Sequence, residues 1–206
     1  MGESGSGKTT SLRNLPADKT IFLDADGKGL AWKGWREQYS TEKKNYYRLY
    51  DPKGILSSLN KISATMPNIK YVVVDTLNSI MANDEMDRMK DKGYDKWADL
   101  AQSVWFICRA ANTLRDDLTV IVTAHVQVDM NDDGYMFSRI KTNGRKLNKL
   151  CLESLMPVVL YSKCKDGKYV FETRANNSTA KTPMGAFATD EIENDIMLVI
   201  KALEEY

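Results

Sequence analysis

The sequence predicts an α/β fold, a mostly parallel sheet with helices on both faces, and three observations carry that prediction. The opening MGESGSGKTT satisfies G-x-x-x-x-G-K-[ST] through Gly2, Gly7, Lys8 and Thr9, a loop that leads into a helix at the edge of a parallel sheet. Short apolar, β-branched runs at 20–24, 71–75 and 119–124 suit strands buried on both faces. Between them lie stretches with apolar residues at helical spacing, and strands alternating with helices make parallel sheets.

The first element is the glycine-rich loop. Backbone N–H groups of Gly2, Glu3, Ser4, Gly5, Ser6, Gly7, Lys8, Thr9 and Thr10 would curl around a polyphosphate, with Lys8 reaching the outer phosphates and Thr9 ligating Mg²⁺. A helix over residues 7–14 would set the positive end of its dipole behind the anion. Such a loop normally follows a buried central strand, yet only Met1 precedes Gly2. A first strand that is missing or truncated is therefore expected, leaving unpaired backbone groups on its neighbours.

Pro16 and Asp18 mark a turn, and strand 20–24 runs into Asp24-Ala25-Asp26-Gly27. Those carboxylates fall at the carboxyl edge of the sheet, where open α/β folds bind ligands. Helical structure is expected over 30–39, which holds Trp32 and Trp35, then a short strand at 46–49. A helix over 52–65 follows, with Pro52 at its tolerated first position and Ile55, Leu56, Leu59 and Ile62 on one face. Tyr71-Val72-Val73-Val74-Asp75 is an apolar run closed by a carboxylate, the pattern of a Walker B element. Asp75 would hold Mg²⁺ opposite Thr9.

Residues 77–92 read as a helix broken by Gly93, and 95–115 as a long helix whose wide apolar face includes Trp97, Leu100, Val104 and Ile107. Strand 119–124 ends at His125, the single histidine. Residues 129–144 read as a long polar loop with Asn131-Asp132-Asp133-Gly134 at its tip. A helix over 145–153 leads to strands at 158–161 and 169–172, joined by the hairpin signal Asp166-Gly167. A polar loop at 178–183 and a terminal helix over 192–205 close the chain.

Composition bounds the function. With 206 residues, 28% charged and 43% hydrophobic, the chain suits one globular domain spanning residues 1–206. A formal net charge of +1 means that any nucleic-acid surface must be a local patch. Cys108, Cys151 and Cys164 lack C-x-x-C spacing and histidine neighbours, which argues against zinc and for reduced thiols in a cytoplasm. No signal peptide and no apolar run of membrane length is present, so a soluble cytoplasmic protein with no membrane contact is expected.

The order of FLDAD, VVVDTLNSI, TVIVTAH and STAKTPMGAF behind the loop resembles the RecA-like P-loop ATPase core. More closely it is similar to small phage-encoded, AAA-type nucleotide-binding proteins of the Sak single-strand annealing group. The resemblance covers nearly the whole chain and implies binding and hydrolysis of ATP with Mg²⁺. It places the water-orienting acid at Asp26, where the family usually has Glu, and a γ-phosphate sensor at His125. It puts a basic residue completing a neighbour's site at Lys181, with Arg174 as a second candidate, and so implies a homo-oligomer with ATP at subunit interfaces. Each has a plainer role open to it: a turn former at Asp26, a structural histidine, a solvated surface charge. The family's DNA loops would correspond to Lys90, Lys92 and Tyr94, and to Tyr135, Phe137, Arg139, Lys141 and Arg145. The implied partners are single-stranded DNA and phage recombination or single-strand-binding proteins, in a bacterial host cytoplasm. A P-loop kinase for a small metabolite, or a nucleotide-binding scaffold without turnover, would use the same phosphate loop.

Overall fold

A computed structural model describes residues 1–93 and 95–206, which form two compact units. One comprises Pro16–Thr123 and Thr142–Leu152; the other comprises Met1–Leu15, Ala124–Lys141 and Glu153–Tyr206.

The first, the sheet unit, contains β1 (Thr20–Asp24), α1 (Trp35–Gln38), β2 (Tyr46–Arg48), α2 (Pro52–Thr65), β3 (Tyr71–Asp75), α3 (Leu77–Asp87), α4 (Asp95–Arg109), β4 (Thr119–Val122) and α5 (Arg145–Asn148). Its four strands are all parallel in the order β2-β1-β3-β4. Every residue of β1 is buried, as are the last four of β3, because central parallel strands are covered on both faces. Right-handed crossovers fix the layers. The chain steps one way from β1 to β2, then the other way from β2 to β3 and on to β4. The β1–β2 connection therefore covers one face, while α2, α3 and α4 cover the opposite one.

Local chemistry sets the helix ends. Asp51 caps α2 by accepting from the Gly54 N–H at 2.6 Å, with Pro52 at the first position, and the helix buries Ile55, Leu59 and Ile62. Thr76 caps α3 by accepting from the Ser79 N–H. The helix expected over 77–92 stops at Asp87, where Arg88 turns to an ion pair with Asp84 and donates to the Lys96 carbonyl at 2.9 Å. The helix expected over 95–115 is α4 followed by a 3₁₀ turn at Ala110–Thr113. The one expected over 30–39 shrinks to α1. Its tryptophans serve the core instead: Trp32 lies 6.0 Å from Phe22 and Trp35 lies 5.1 Å from Tyr46, centroid to centroid.

The P-loop unit holds β5 (Val126–Met130), β6 (Met136–Ile140), β7 (Tyr161–Lys165), β8 (Lys168–Glu172), β9 (Glu191–Glu193) and α6 (Ile196–Glu204). The polar loop expected over 129–144 is in large part the antiparallel hairpin β5–β6. Alternation explains it: Val126, Ser138 and Ile140 are buried, while Val128, Met130 and Met136 of the same face are exposed toward the turn. Asn131 Oδ1 closes that turn, accepting from the N–H groups of Asp133 and Tyr135 at 3.1 and 2.8 Å. Asp166-Gly167 does join β7 to β8, both residues at positive φ, although β7 begins three residues later than expected. The terminal helix starts only at Ile196, capped by Asp195; the preceding residues form β9, an antiparallel partner for β8.

The helix expected over 7–14 is also absent. A single 3₁₀ turn at Thr10–Leu12 follows the Ser11 N–H to Gly7 carbonyl bond of 2.8 Å. The Ser11 hydroxyl returns to the Lys8 carbonyl at 2.6 Å, and Pro16 disfavours helix at the residue before it. Met1 and Gly2 are bonded on both sides: the Gly2 N–H donates to the Ala124 carbonyl at 3.0 Å, and the Ser162 N–H to the Met1 carbonyl at 2.8 Å. Among the described residues no helix is long and apolar enough to cross a membrane.

Candidate nucleotide site

In the P-loop unit the loop is shaped by two glycines at positive φ, Gly5 at 76° and Gly7 at 92°, a conformation that side-chain-bearing residues rarely adopt. Gly7 has a second reason to lack a side chain, since a Cβ there would lie 2.8 Å from Asn194 Oδ1 and 2.9 Å from the Tyr169 ring. At Gly2 a Cβ would meet the Ser162 carbonyl at 2.5 Å. The loop is thus seated directly on β7 and on the residues that follow β9. Ser162 Oγ donates to the Ser6 carbonyl at 2.6 Å and accepts from Asn194 Nδ2 at 2.9 Å. Arg13, just past the 3₁₀ turn, donates to the Asn194 carbonyl at 2.8 Å.

Lys8 lies within this cradle and is buried. Its ammonium donates to the carbonyls of Gly2 and Glu3 at 3.0 and 2.7 Å and lies 3.5 Å from His125 Nδ1. The structure therefore brings together two of the residues singled out in the sequence, at opposite ends of the first 125 positions. With only one 3₁₀ turn behind the loop, the macrodipole expected there is small, and the cationic and N–H groups of the loop itself are what an anion would meet.

In the sheet unit the carboxylates gather at the ends of β1 and β3. The connections leaving these adjacent strands cross opposite faces of the sheet, which makes the gap between their carboxyl ends the topological switch point. Asp24 and Asp75 are in register there, and the N–H groups of Ala25 and Asp26 both donate to the Asp75 carbonyl, at 2.7 and 3.2 Å. The peptide bond between Asp75 and Thr76 is cis.

The three carboxylates have different surroundings. Asp24 is buried and serves the backbone: it accepts from the N–H groups of Gly27 and Gly29 at 2.8 and 2.9 Å and from the Tyr46 hydroxyl. Burial, with the bond to Asp24 adding to it, pushes the Tyr46 phenol up to about 12. Asp75 is buried at the end of β3 and accepts from the Thr123 hydroxyl. Asp26 is partly exposed; its Oδ1 accepts from the hydroxyls of Thr76, at 2.9 Å, and Ser79, and its Oδ2 faces Lys28 at 3.1 Å. Burial works to raise its pKa, but the hydroxyls of Ser79 and Thr76 and the Lys28 ammonium outweigh it and hold the carboxyl below the ordinary aspartate range.

The remaining predicted residues are spread more widely. Lys181 pairs backbone to backbone with Val159 at 2.8 Å in both directions. Arg174 is engaged within the chain, with Asp190 at 2.8 Å and the Phe187 carbonyl at 3.2 Å. Lys90 and Lys92 are exposed in the sheet unit. On the β5–β6 hairpin Tyr135 and Lys141 are exposed and Phe137 partly so, whereas Arg139 pairs with Asp129 at 3.3 Å. Tyr94 and the side chain of Arg145 lie outside the described residues.

Five polar residues of these clusters carried no role in the sequence reading: Thr76, Ser79, Thr123, Ser162 and Asn194. Thr76 and Ser79 had a local signal, a hydroxyl residue at the start of a helix with a second three positions on. Ser162 and Asn194 had none, since their partner is a loop more than 150 residues away in sequence.

No curated protein matches the chain. A family model described as the AAA domain matches residues 1–183, which span the phosphate loop, all three strand-end carboxylates, His125 and Lys181. On that match over most of its length, the chain belongs to the AAA domain family, whose membership supports nucleotide binding.

Proposed function

We propose that this protein binds ATP with Mg²⁺, hydrolyses it, and acts on single-stranded DNA in phage recombination or replication. The observation that carries the nucleotide part is the placement of Lys8: a buried ammonium inside a loop of positive-φ glycines, beside a histidine. In this reading the loop N–H groups cradle the phosphates and Lys8 leaves its own carbonyls for the outer ones. His125, next to Lys8, senses the γ-phosphate. Thr9 and Asp75 supply oxygen ligands of the kind Mg²⁺ prefers. The metal would neutralise charge developing on the phosphates. Thr123 holds Asp75 by its hydroxyl, and Asp26 orients the attacking water. Lys181 completes the site of a neighbouring copy in a homo-oligomer. The DNA part rests on the resemblance to the RecA-like group and on exposed cations and rings, including Lys90, Lys92, Tyr135 and Lys141.

One observation favours a second reading, a nucleotide-binding scaffold without turnover. Asp26 already accepts from two hydroxyls and pairs with Lys28, so its carboxylate is committed within the chain. An ATPase assay with and without single-stranded DNA separates the two. Phosphate release stimulated by DNA supports the first reading; tight ATP binding with no release supports the second.

A further inference from the structure

Residues 28–48, most of the connection between β1 and β2 together with β2 itself, form one of two basic stretches of the chain. Residues 28–48 contain six basic side chains, Lys28, Lys33, Arg36, Lys43, Lys44 and Arg48, against two acidic ones, Glu37 and Glu42. The whole chain has a formal net charge of only +1, so attraction for a polyanion depends on such local stretches; the other, residues 139–151, has five basic residues and no acidic one. All six basic residues are exposed. Among the described residues only Lys28 of the six makes an ion pair, with Asp26. Elsewhere Arg13, Arg88, Arg115, Arg139 and Arg174 each pair with a carboxylate; among the described residues Arg36, Arg48 and Arg109 do not.

Aromatic rings stand among these cations. Trp35 is half-buried on Tyr46, and the Arg36 guanidinium lies over its ring at 4.6 Å from the centroid. Gly29, beside Lys28, approaches the same ring so closely that a Cβ would lie 2.6 Å from it. Trp35 is therefore a braced, partly exposed ring with the Arg36 guanidinium over it, and its packing partner Tyr46 belongs to β2, the edge strand of the sheet. The β5–β6 hairpin offers the opposite balance: Asp129, Asp132 and Asp133 outnumber Arg139 and Lys141.

We propose that residues 28–48 form a contact surface for a single-stranded polynucleotide, with Arg36 and Arg48 on phosphates and Trp35 against a base. Single strands are specified because a ring flanked by cations needs an unpaired base to stack on. The proposal rests on the polynucleotide-binding reading above and adds a surface that the family resemblance does not supply.

Binding of labelled oligothymidylate to the full chain, followed by anisotropy at several salt concentrations, tests it. Arg36→Gln with Arg48→Gln should flatten the slope of log affinity against log salt by about 1.4, roughly 0.7 per phosphate contact. Trp35→Phe should remove fluorescence quenching on binding, while circular dichroism shows both variants folded. Oligouridylate of equal length tells DNA from RNA, and equal affinity fits the shared phosphate and base chemistry. Heparin, a polyanion without bases, should not quench Trp35; equal quenching overturns the stacking contact. An unchanged slope in the double variant, with parental binding intact, overturns this surface and leaves the DNA function standing. No binding of either polynucleotide at low salt overturns both.

Discussion

Single side chains decide whether the loop is a phosphate site. Lys8→Ala removes a buried ammonium held by two loop carbonyls and touches none of the apolar core, so the variant should stay folded and lose nucleotide binding. Calorimetric titration with ATP and Mg²⁺ checks this; parental affinity in the variant would overturn the phosphate-loop assignment. Asp26→Asn should cut turnover about a hundredfold or more while leaving ATP affinity nearly intact, since a water-orienting group acts mainly in the transition state. The same variant has an acid signature. Because its carboxyl is held below the ordinary range, near 3.9 for an aspartate, Asp26 stabilises the fold fully above that value and loses the contribution as pH falls through the lowered one. The gap in melting temperature between parent and Asp26→Asn should thus be largest near neutrality and narrow as pH falls below the ordinary aspartate range. A gap that does not change with pH would mean that the hydroxyls of Thr76 and Ser79 bond the asparagine as well as the carboxylate.

At the scale of elements, Asp24 and Asp75 lie in register on β1 and β3 yet differ in what depends on them. Asp24 binds two backbone N–H groups of the turn after β1 and the Tyr46 hydroxyl, so Asp24→Asn, which sets an amide donor against those donors, should cost about 1–3 kcal/mol of stability. Asp75→Asn should instead weaken Mg²⁺-dependent nucleotide binding, and denaturant melts paired with Mg²⁺ titrations separate the two effects. Equal and mild changes in Mg²⁺ dependence would remove Asp75 from metal binding. This contrast also shows what the sequence could reveal. The strands β1 and β3 are legible because burial on both faces leaves no room for polar alternation, whereas β4, equally apolar in sequence and expected to be buried, ends the strand order and is only partly buried. The β5–β6 hairpin resembles a loop in the sequence because its exposed positions and acidic turn hide a two-residue alternation in which only Val126, Ser138 and Ile140 are buried. The glycine-rich loop was legible from its motif, but its supports, Ser162 and Asn194, come from β7 and from the residue after β9. No local pattern marks a contact closed over that separation. The short 3₁₀ turn in place of a helix follows from Ser11 and Pro16, whose effect the motif masked.

For the whole molecule, the role proposed for Lys181 requires more than one copy. Lys181 is fixed at its backbone by Val159 and is partly exposed. A cation that completes a neighbour's phosphate site needs a position set by the fold and access to solvent. If Lys181 acts across copies, turnover should rise more steeply than linearly with protein concentration. Lys181→Ala and Lys8→Ala should each be inactive alone, the first lacking the cation it gives and the second the loop that receives one. Mixed, they form some interfaces in which an intact loop faces an intact Lys181, and activity should partly return, up to about a quarter of the parental rate where copies mix at random in closed assemblies. Sedimentation velocity on the mixture establishes that joint assemblies exist before the rate is read. Joint assemblies with no recovered turnover would place the effect of Lys181 inside its own chain, and parental activity of Lys181→Ala alone would remove it from the reaction.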